Sequence, residues 1–292
     1  MNATLAEAST SPAQEAFLFI QQLAAELSTG AVDLPGFPEI VARIRVALAD
    51  EEVSPDKVAR LIGAEPVLAA RLLQFANSAA LNVSGKPVTD LRTAILRVGL
   101  NVVRSTTIAF AVAQLRQAPE MRGLEKPLEI LWQRTVLVAS LCYVIARRRT
   151  RLSPDSTLLA GLLHGIGRLY ILTRATRHRS LFGDVASYQA IERDWHLGIA
   201  VAILEHWNIP DEIIQAVRDC EDFARQPRGG VSLSDVLLAA SLIAVHQDQP
   251  DFLDARLQNV PAVARLQLSR PECTALLEES GAEILALRAA LG

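Results

Sequence analysis

Few side chains in this sequence are of the kinds that do chemistry. The histidines are His164, His178, His196, His206 and His246, and the cysteines are Cys142, Cys220 and Cys273. An imidazole can ligate a metal, move a proton or donate to an anion, and its setting decides which. His164 has the most suggestive setting. It lies in Thr157–Tyr170 (TLLAGLLHGIGRLY), with Gly165 beside it and Arg168 one helical turn on. His196 and His206 are ten residues apart, outside the i, i+4 spacing of a helical ligand pair. His178 falls in the basic stretch 174–179, read as a solvated loop, and His246 closes an apolar segment, where a cation suits the helix dipole. The cysteines make no CxxC pair and no disulfide pattern, which suits a reducing cytosol and buried bystander roles.

The elements that must position these groups read as helices throughout. Around His164 the residues Leu158, Leu159, Leu162, Leu163, Ile166, Leu169 and Tyr170 repeat at i, i+3, i+4, i+7, predicting one buried helix. Its other side carries Ala160, Gly161, His164, Gly165 and Arg168, mostly small enough to let a neighbouring backbone come close. Upstream, Pro12 opens a short amphipathic helix that Gly30 ends, and Leu34–Pro38 (LPGFP) is a rigid lead-in. Helices follow to about 50, from Ser54–Pro55, after Glu65–Pro66 to Asn77–Ser78, from Thr89 or Asp90 to a stop at Gly99, and again from Asn101 to Pro119. Further helices are predicted over 128–148, 185–207, from Pro210, over 236–245 and over 272–291. No stretch alternates as a strand does. The fold class is all-α, a helical bundle with an N-terminal helical lobe.

Half of the residues are hydrophobic and only 5% are aromatic, a mixture for a large aliphatic core. With 29 basic against 32 acidic residues the net charge is −3, so charge gives no general attraction to nucleic acid or an anionic membrane. The first residues have neither a basic nor an apolar signal segment, and the longest apolar run, 135–146, is too short to span a bilayer. A cytoplasmic protein is expected.

A series of short motifs then stands in order: Leu34–Pro38 (LPGFP), Leu61–Pro66 (LIGAEP), Leu72–Ser78 (LLQFANS) and Ala94–Gly99 (AILRVG). Leu131–Thr135 (LWQRT), the Leu163–His164 helix and Leu204–Pro210 (LEHWNIP) continue it. The series resembles the HDOD family, HD-related output domains of bacterial signalling proteins, over roughly 33–248. Glu65–Pro66 stands where that family usually has Asp-Pro. The resemblance implies an HD-like helical domain with an N-lobe about 33–118 and an HD-like lobe about 119–248. Outside it lie an N-terminal extension, 1–32, and a C-terminal helical tail, 249–292.

In HD phosphohydrolases the corresponding helix carries a metal-binding His-Asp pair. Here the resemblance puts Arg134 at the first histidine, His164–Gly165 at the pair and Ser241 at the later aspartate. One ligand of four remains, too few for a metal centre. No metal or other cofactor is expected. His164 then has two readings. In the favoured one it is a buried imidazole donating to a backbone carbonyl or stacked near Arg134. In the other, Arg134, His164 and Arg168 line a remnant anion pocket. Glu65, Pro66, Asn77, Ser78 and Gly99 have structural jobs: a helix start, a helix end and an αL cap. The reading that follows is a non-enzymatic regulatory module that contacts an unknown protein partner, with a residual phosphohydrolase or a nucleotide- or cyclic-dinucleotide-binding domain as the alternative. A third idea, a helix-turn-helix over 91–107, offers bases only Arg104 and small hydroxyls. The 147–151 and 174–179 basic runs read as solvated surface.

Overall fold

The computed structural model describes residues 12–29, 38–50, 52–82, 85–176, 178, 184–226, 228–246 and 249–291. Among them no strand occurs, and the all-α reading holds. The helices are α1 (Pro12–Thr29), α2 (Glu39–Leu48), α3 (Pro55–Gly63), α4 (Pro66–Ala76), α5 (Leu91–Gln117), α6 (Glu125–Arg149) and α7 (Pro154–Leu163). They continue as α8 (Ile166–Ala175), α9 (Val185–His206), α10 (Asp211–Asp219), α11 (Leu233–His246), α12 (Pro250–Asn259), α13 (Pro261–Ala264) and α14 (Arg270–Leu291). The expected lead-in, residues 34–38, lies outside the described residues except for Pro38.

Local chemistry starts the helices where the sequence placed the signals. The hydroxyls of Ser54 and Ser153 accept the N–H groups of Lys57 and Ser156, and the Asp90 carboxylate accepts that of Thr93. Each satisfies one of the orphan donors of a helix start. Ser232 and Asp235 cap α11 reciprocally. Asp235 N–H donates to Ser232 Oγ at 3.4 Å, and Ser232 N–H donates to the Asp235 carboxylate at 2.9 Å. Glu65 does stand at the start of α4, with Pro66 in its first turn, but its carboxylate makes no capping bond.

α2 to α5 pack on one another as an N-terminal lobe, and α6 to α11 form a second bundle joined to it through α5 and α7. α5 and α6 are long and apolar enough to cross a membrane, yet 67% of each apolar stretch is buried, so they serve as core helices. α14 lies across both lobes, against α4, α5 and α6, burying Leu276, Leu287 and Leu291. α1 docks on the second bundle with Phe19 and Leu23 fully buried.

Two expectations about elements change, and one idea already weak in the sequence falls away. The helix around His164 is not continuous. It breaks into α7 and α8 at His164–Gly165. Gly99 does interrupt its helix, at φ 77° and ψ 166°. That extended ψ is not an αL cap, and the helix resumes at once to form a kinked α5. The segment weighed as a recognition helix is core: Val102, Val103, Ser105, Thr106 and Thr107 are buried. Arg104 is spent on Leu48 O at 2.6 Å and Asn101 Oδ1 at 2.7 Å.

Candidate functional site

The α7–α8 turn is built by glycines. A Cβ at Gly161 would come within 2.5 Å of Ala139 Cα on α6, and one at Gly167 would overlap the His196 carbonyl oxygen on α9. A Cβ at Gly165 would stand 2.5 Å from Thr135 Oγ1, also on α6. The small side expected of this segment is therefore where two neighbouring helices touch its backbone. The close approach pushes His164 inward, to 6% exposure. Its Nδ1 lies 2.5 Å from the Gly161 carbonyl oxygen, a pairing in which Nδ1–H donates and Nε2 keeps the lone pair. Burial pushes the imidazole pKa down to about 4, and the charges of Arg168 and Arg134 act the same way. His164 is thus a buried histidine whose Nδ1 is committed to a backbone carbonyl.

Arg168 projects from the first turn of α8 into a group of carboxylates. Its Nη2 donates to Glu221 Oε1 at 2.5 Å and its Nε pairs with Glu192 at 3.3 Å. His196 is fully buried on α9, with Nε2 3.1 Å from the same Glu221 oxygen. Hydrogen bonds from His196 and Arg168, together with the Arg168 charge, hold the Glu221 carboxyl down at about 2. Arg134 stands at the outer edge of this group and reaches the surface. Partial burial and the Arg168 charge lower its pKa, while Glu221 and Glu192 pull the other way. Arg134 and Arg168 are near enough for their charges to act on each other and on His164, and two of the protein's own carboxylates already face Arg168. Sequence reasoning missed Glu192 and Glu221, and did not connect His196 with them, because no local spacing links them to Arg168, and Glu221 is 53 positions away.

Ser241 lies on α11, which packs against α6 and α7. Its Oγ is buried without a hydrogen-bond partner among the described residues, so no such bond ties it to the Arg134–His164–Arg168 group. Behind the turn, Trp132, Thr135, Leu162, Gly165 and Leu169 line a narrow apolar cleft. Among the described residues no three His, Cys, Asp or Glu side chains are grouped to hold a metal ion. The cysteines are buried and unpaired, and burial raises their thiols, Cys220 to about 12, which fits bystanders.

In the N-terminal lobe the motif residues do structural work. Asn77 donates to Leu73 O at 2.9 Å and Val88 O at 2.8 Å, and its Oδ1 accepts Val88 N–H at 2.7 Å. One amide thereby ends α4 and fastens the segment leading into α5. Ser78 adds no bond to this clasp, since its Oγ is buried and unbonded among the described residues.

Two basic runs read as solvated surface turn out to be fasteners. Arg147 binds Glu283 at 2.5 Å and Ala80 O at 3.2 Å, and Arg148 reaches Glu279 at 3.5 Å, holding α14. Arg174 pairs with Glu26 at 3.1 Å, and Tyr170 donates to the same carboxylate. His178 packs on Phe19 and lies 3.3 Å from Gln22, so the stretch clasps α1. His246 was expected to carry charge at its helix end. Instead burial, Arg256 and Arg134 lower its pKa, and its ring packs on Phe252.

Comparison with known proteins decides what this helical framework is. The family model of the HDOD domain matches residues 34–223, well over half of the chain. The chain belongs to the HDOD family. Among solved structures, an HDOD domain protein of unknown function from Geobacter sulfurreducens has the same fold. The TM-score is 0.61 at 23% identity, covering 92% of this chain and 96% of that one. A protein from Shewanella amazonensis SB2B described as a candidate metal-dependent phosphohydrolase superposes with a TM-score of 0.74 at 25% identity, covering 95% and 99%. A candidate signal transduction protein from Marinobacter aquaeolei VT8 gives 0.58 at 17% identity, covering 97% and 69%. An uncharacterised protein of Treponema pallidum is 24% identical over 213 residues, 68% of this chain. The chain spans only 39% of that curated relative's length. Its HDOD region therefore holds both the Asn77 clasp and the buried His164.

Proposed function

We propose that this HDOD chain is a non-enzymatic regulatory module of a bacterial signalling pathway, working in the cytoplasm by contact with another protein. The observation that carries the reading is the closed packing at Gly165. The position that would offer a metal a carboxylate has no side chain, and a Cβ there would stand only 2.5 Å from Thr135 Oγ1. The remaining donors do not fit a metal either. Arg134 brings a cation to a place where a ligand is needed and Ser241 brings a neutral hydroxyl, which leaves His164, with Nδ1 on Gly161 O and its Nε2 lone pair, as one ligand where several are needed. Membership of a family of output domains and the likeness to a candidate signal transduction protein support the same reading.

The name of the Shewanella neighbour favours a second reading, a residual metal-dependent phosphohydrolase. Elemental analysis separates the two. The full chain, purified without chelator and offered manganese, iron and zinc, should retain less than about a tenth of an equivalent of each. Near-stoichiometric metal together with hydrolysis of a phosphodiester such as a cyclic dinucleotide would sink the non-enzymatic reading.

A further inference from the structure

A polar cavity of about 510 Å3 opens between the lobes, far along α5 from the Gly99 kink. Arg71 of α4, Arg116 and Gln117 at the end of α5, and Glu125, Lys126 and Glu129 of α6 line it. Its size falls in the range of small-molecule sites. All but one of its lining residues are charged or amide-bearing.

The charges inside are left unbalanced. Glu129 is taken by Arg116 and by Gln133, and the Glu125 carboxylate accepts the Gly123 N–H. Arg71 is half-buried and has no hydrogen bond or ion pair within the described residues. Its pKa is lowered by burial and by the like charge of Arg116. Lys126 is also without a partner there, and it sits in the first turn of α6, the positive end of the helix dipole. That helix start carries Leu124 at its capping position and no side-chain cap. A half-buried guanidinium facing another cation works against folding, while Lys126 is exposed and adds a second cation at the positive end of the α6 dipole. They make sense together if an anion completes the arrangement.

We propose that this interlobe cavity binds a small phosphate-bearing anion, held by Arg71 from the N-terminal lobe and by Lys126 from the second, beside the Arg116–Glu129 pair. A phosphate suits the set because guanidinium groups grip its oxygens bidentately and a lysine adds a point charge. The ligand would tie the lobes together, so its level would set how firmly they are joined. The site is separate from the Arg134–His164–Arg168 group and does not depend on the reading of that group.

Calorimetric titration of the full chain with inorganic pyrophosphate tests it. One molecule should bind per chain, with affinity falling as salt rises. Arg71→Gln and Lys126→Gln should each weaken binding about tenfold or more. Arg134→Gln and the surface variant Arg92→Gln should not change it. A second readout separates a ligand-binding arginine from a structural one. Without ligand, Arg71→Gln should unfold at the same or a higher temperature than wild type, because it removes an unpaired buried charge. Three results would overturn the proposal: no heat with pyrophosphate at about 10 mM, a range in which even millimolar affinity registers; binding that survives both substitutions; or an Arg71→Gln protein less stable than wild type in the absence of ligand.

Discussion

His164 shows how far a side chain's chemistry is set by what closes over it. Its pKa, lowered from 6.5 to about 4 by burial, makes a signed prediction. Between those values the unfolded chain binds a proton that the folded chain refuses. The stability is therefore fully present above 6.5 and is lost as pH falls through that window. The slope approaches about 1.4 kcal/mol per pH unit, so the melting temperature should drop between about pH 7 and pH 5. Glu221, held at about 2 from an ordinary 4.5, acts with the same sign but only in the lower window. His164→Asn, which keeps a donor near the Gly161 carbonyl and cannot ionise, should flatten the upper part of the profile. A wild-type profile already flat above pH 5 would show that His164 is not buried as described. At Gly167 packing alone decides: Gly167→Ala sets a methyl against the His196 carbonyl. It should cost more than about 3 kcal/mol in a denaturant titration, an extreme value for a single methyl.

For the helices, the decisive devices are at their ends and breaks. Asn77→Ala would strip the bonds to Leu73 and to both backbone groups of Val88. It should cost about 2–3 kcal/mol, because partly buried backbone groups lose their partners. At Gly99 a Cβ would meet nothing within 4 Å, yet the φ of 77° disfavours any side chain. Gly99→Ala should therefore cost only the backbone strain, about 1–3 kcal/mol. If Gly99→Ala proves as harmful as Gly167→Ala, the kink rather than the close helix contact governs stability. The caps at Ser54, Asp90 and Ser153 were readable because a cap, a proline and a hydrophobic run lie within a few residues. The break at His164–Gly165 was not, because its apolar period continues unbroken through the turn.

On the scale of the molecule, the terminal helices act as straps held by apolar faces and guarded by arginines. α14 buries leucines against both lobes while Arg147 and Arg148 meet Glu283 and Glu279 at its edge. These pairs are partly exposed, so Arg147→Ala with Arg148→Ala should cost only about 1 kcal/mol and matter less at high salt. Removing residues 270–291 should abolish cooperative unfolding, since it exposes the apolar seam of both lobes at once. A truncated chain that still melts in one sharp transition would show the strap to be dispensable.

The sequence by itself determined the helices, most of their starts, the aliphatic core and, through the order of short motifs, the HDOD family. Those properties are local: capping, periodicity and proline placement act within a turn or two. The resemblance to HD enzymes also singled out Arg134, His164 and Arg168 as a candidate anion pocket. Only the tertiary structure decided what they are. The carboxylates of Glu192 on α9 and Glu221 in the turn after α10 reach Arg168, and Thr135 closes over Gly165 from α6. Likewise the basic runs became fasteners only when Glu26, Glu279 and Glu283 arrived from the ends of the chain. Charge pairing and close backbone contact depend on separation in space, and sequence separation carries no record of it.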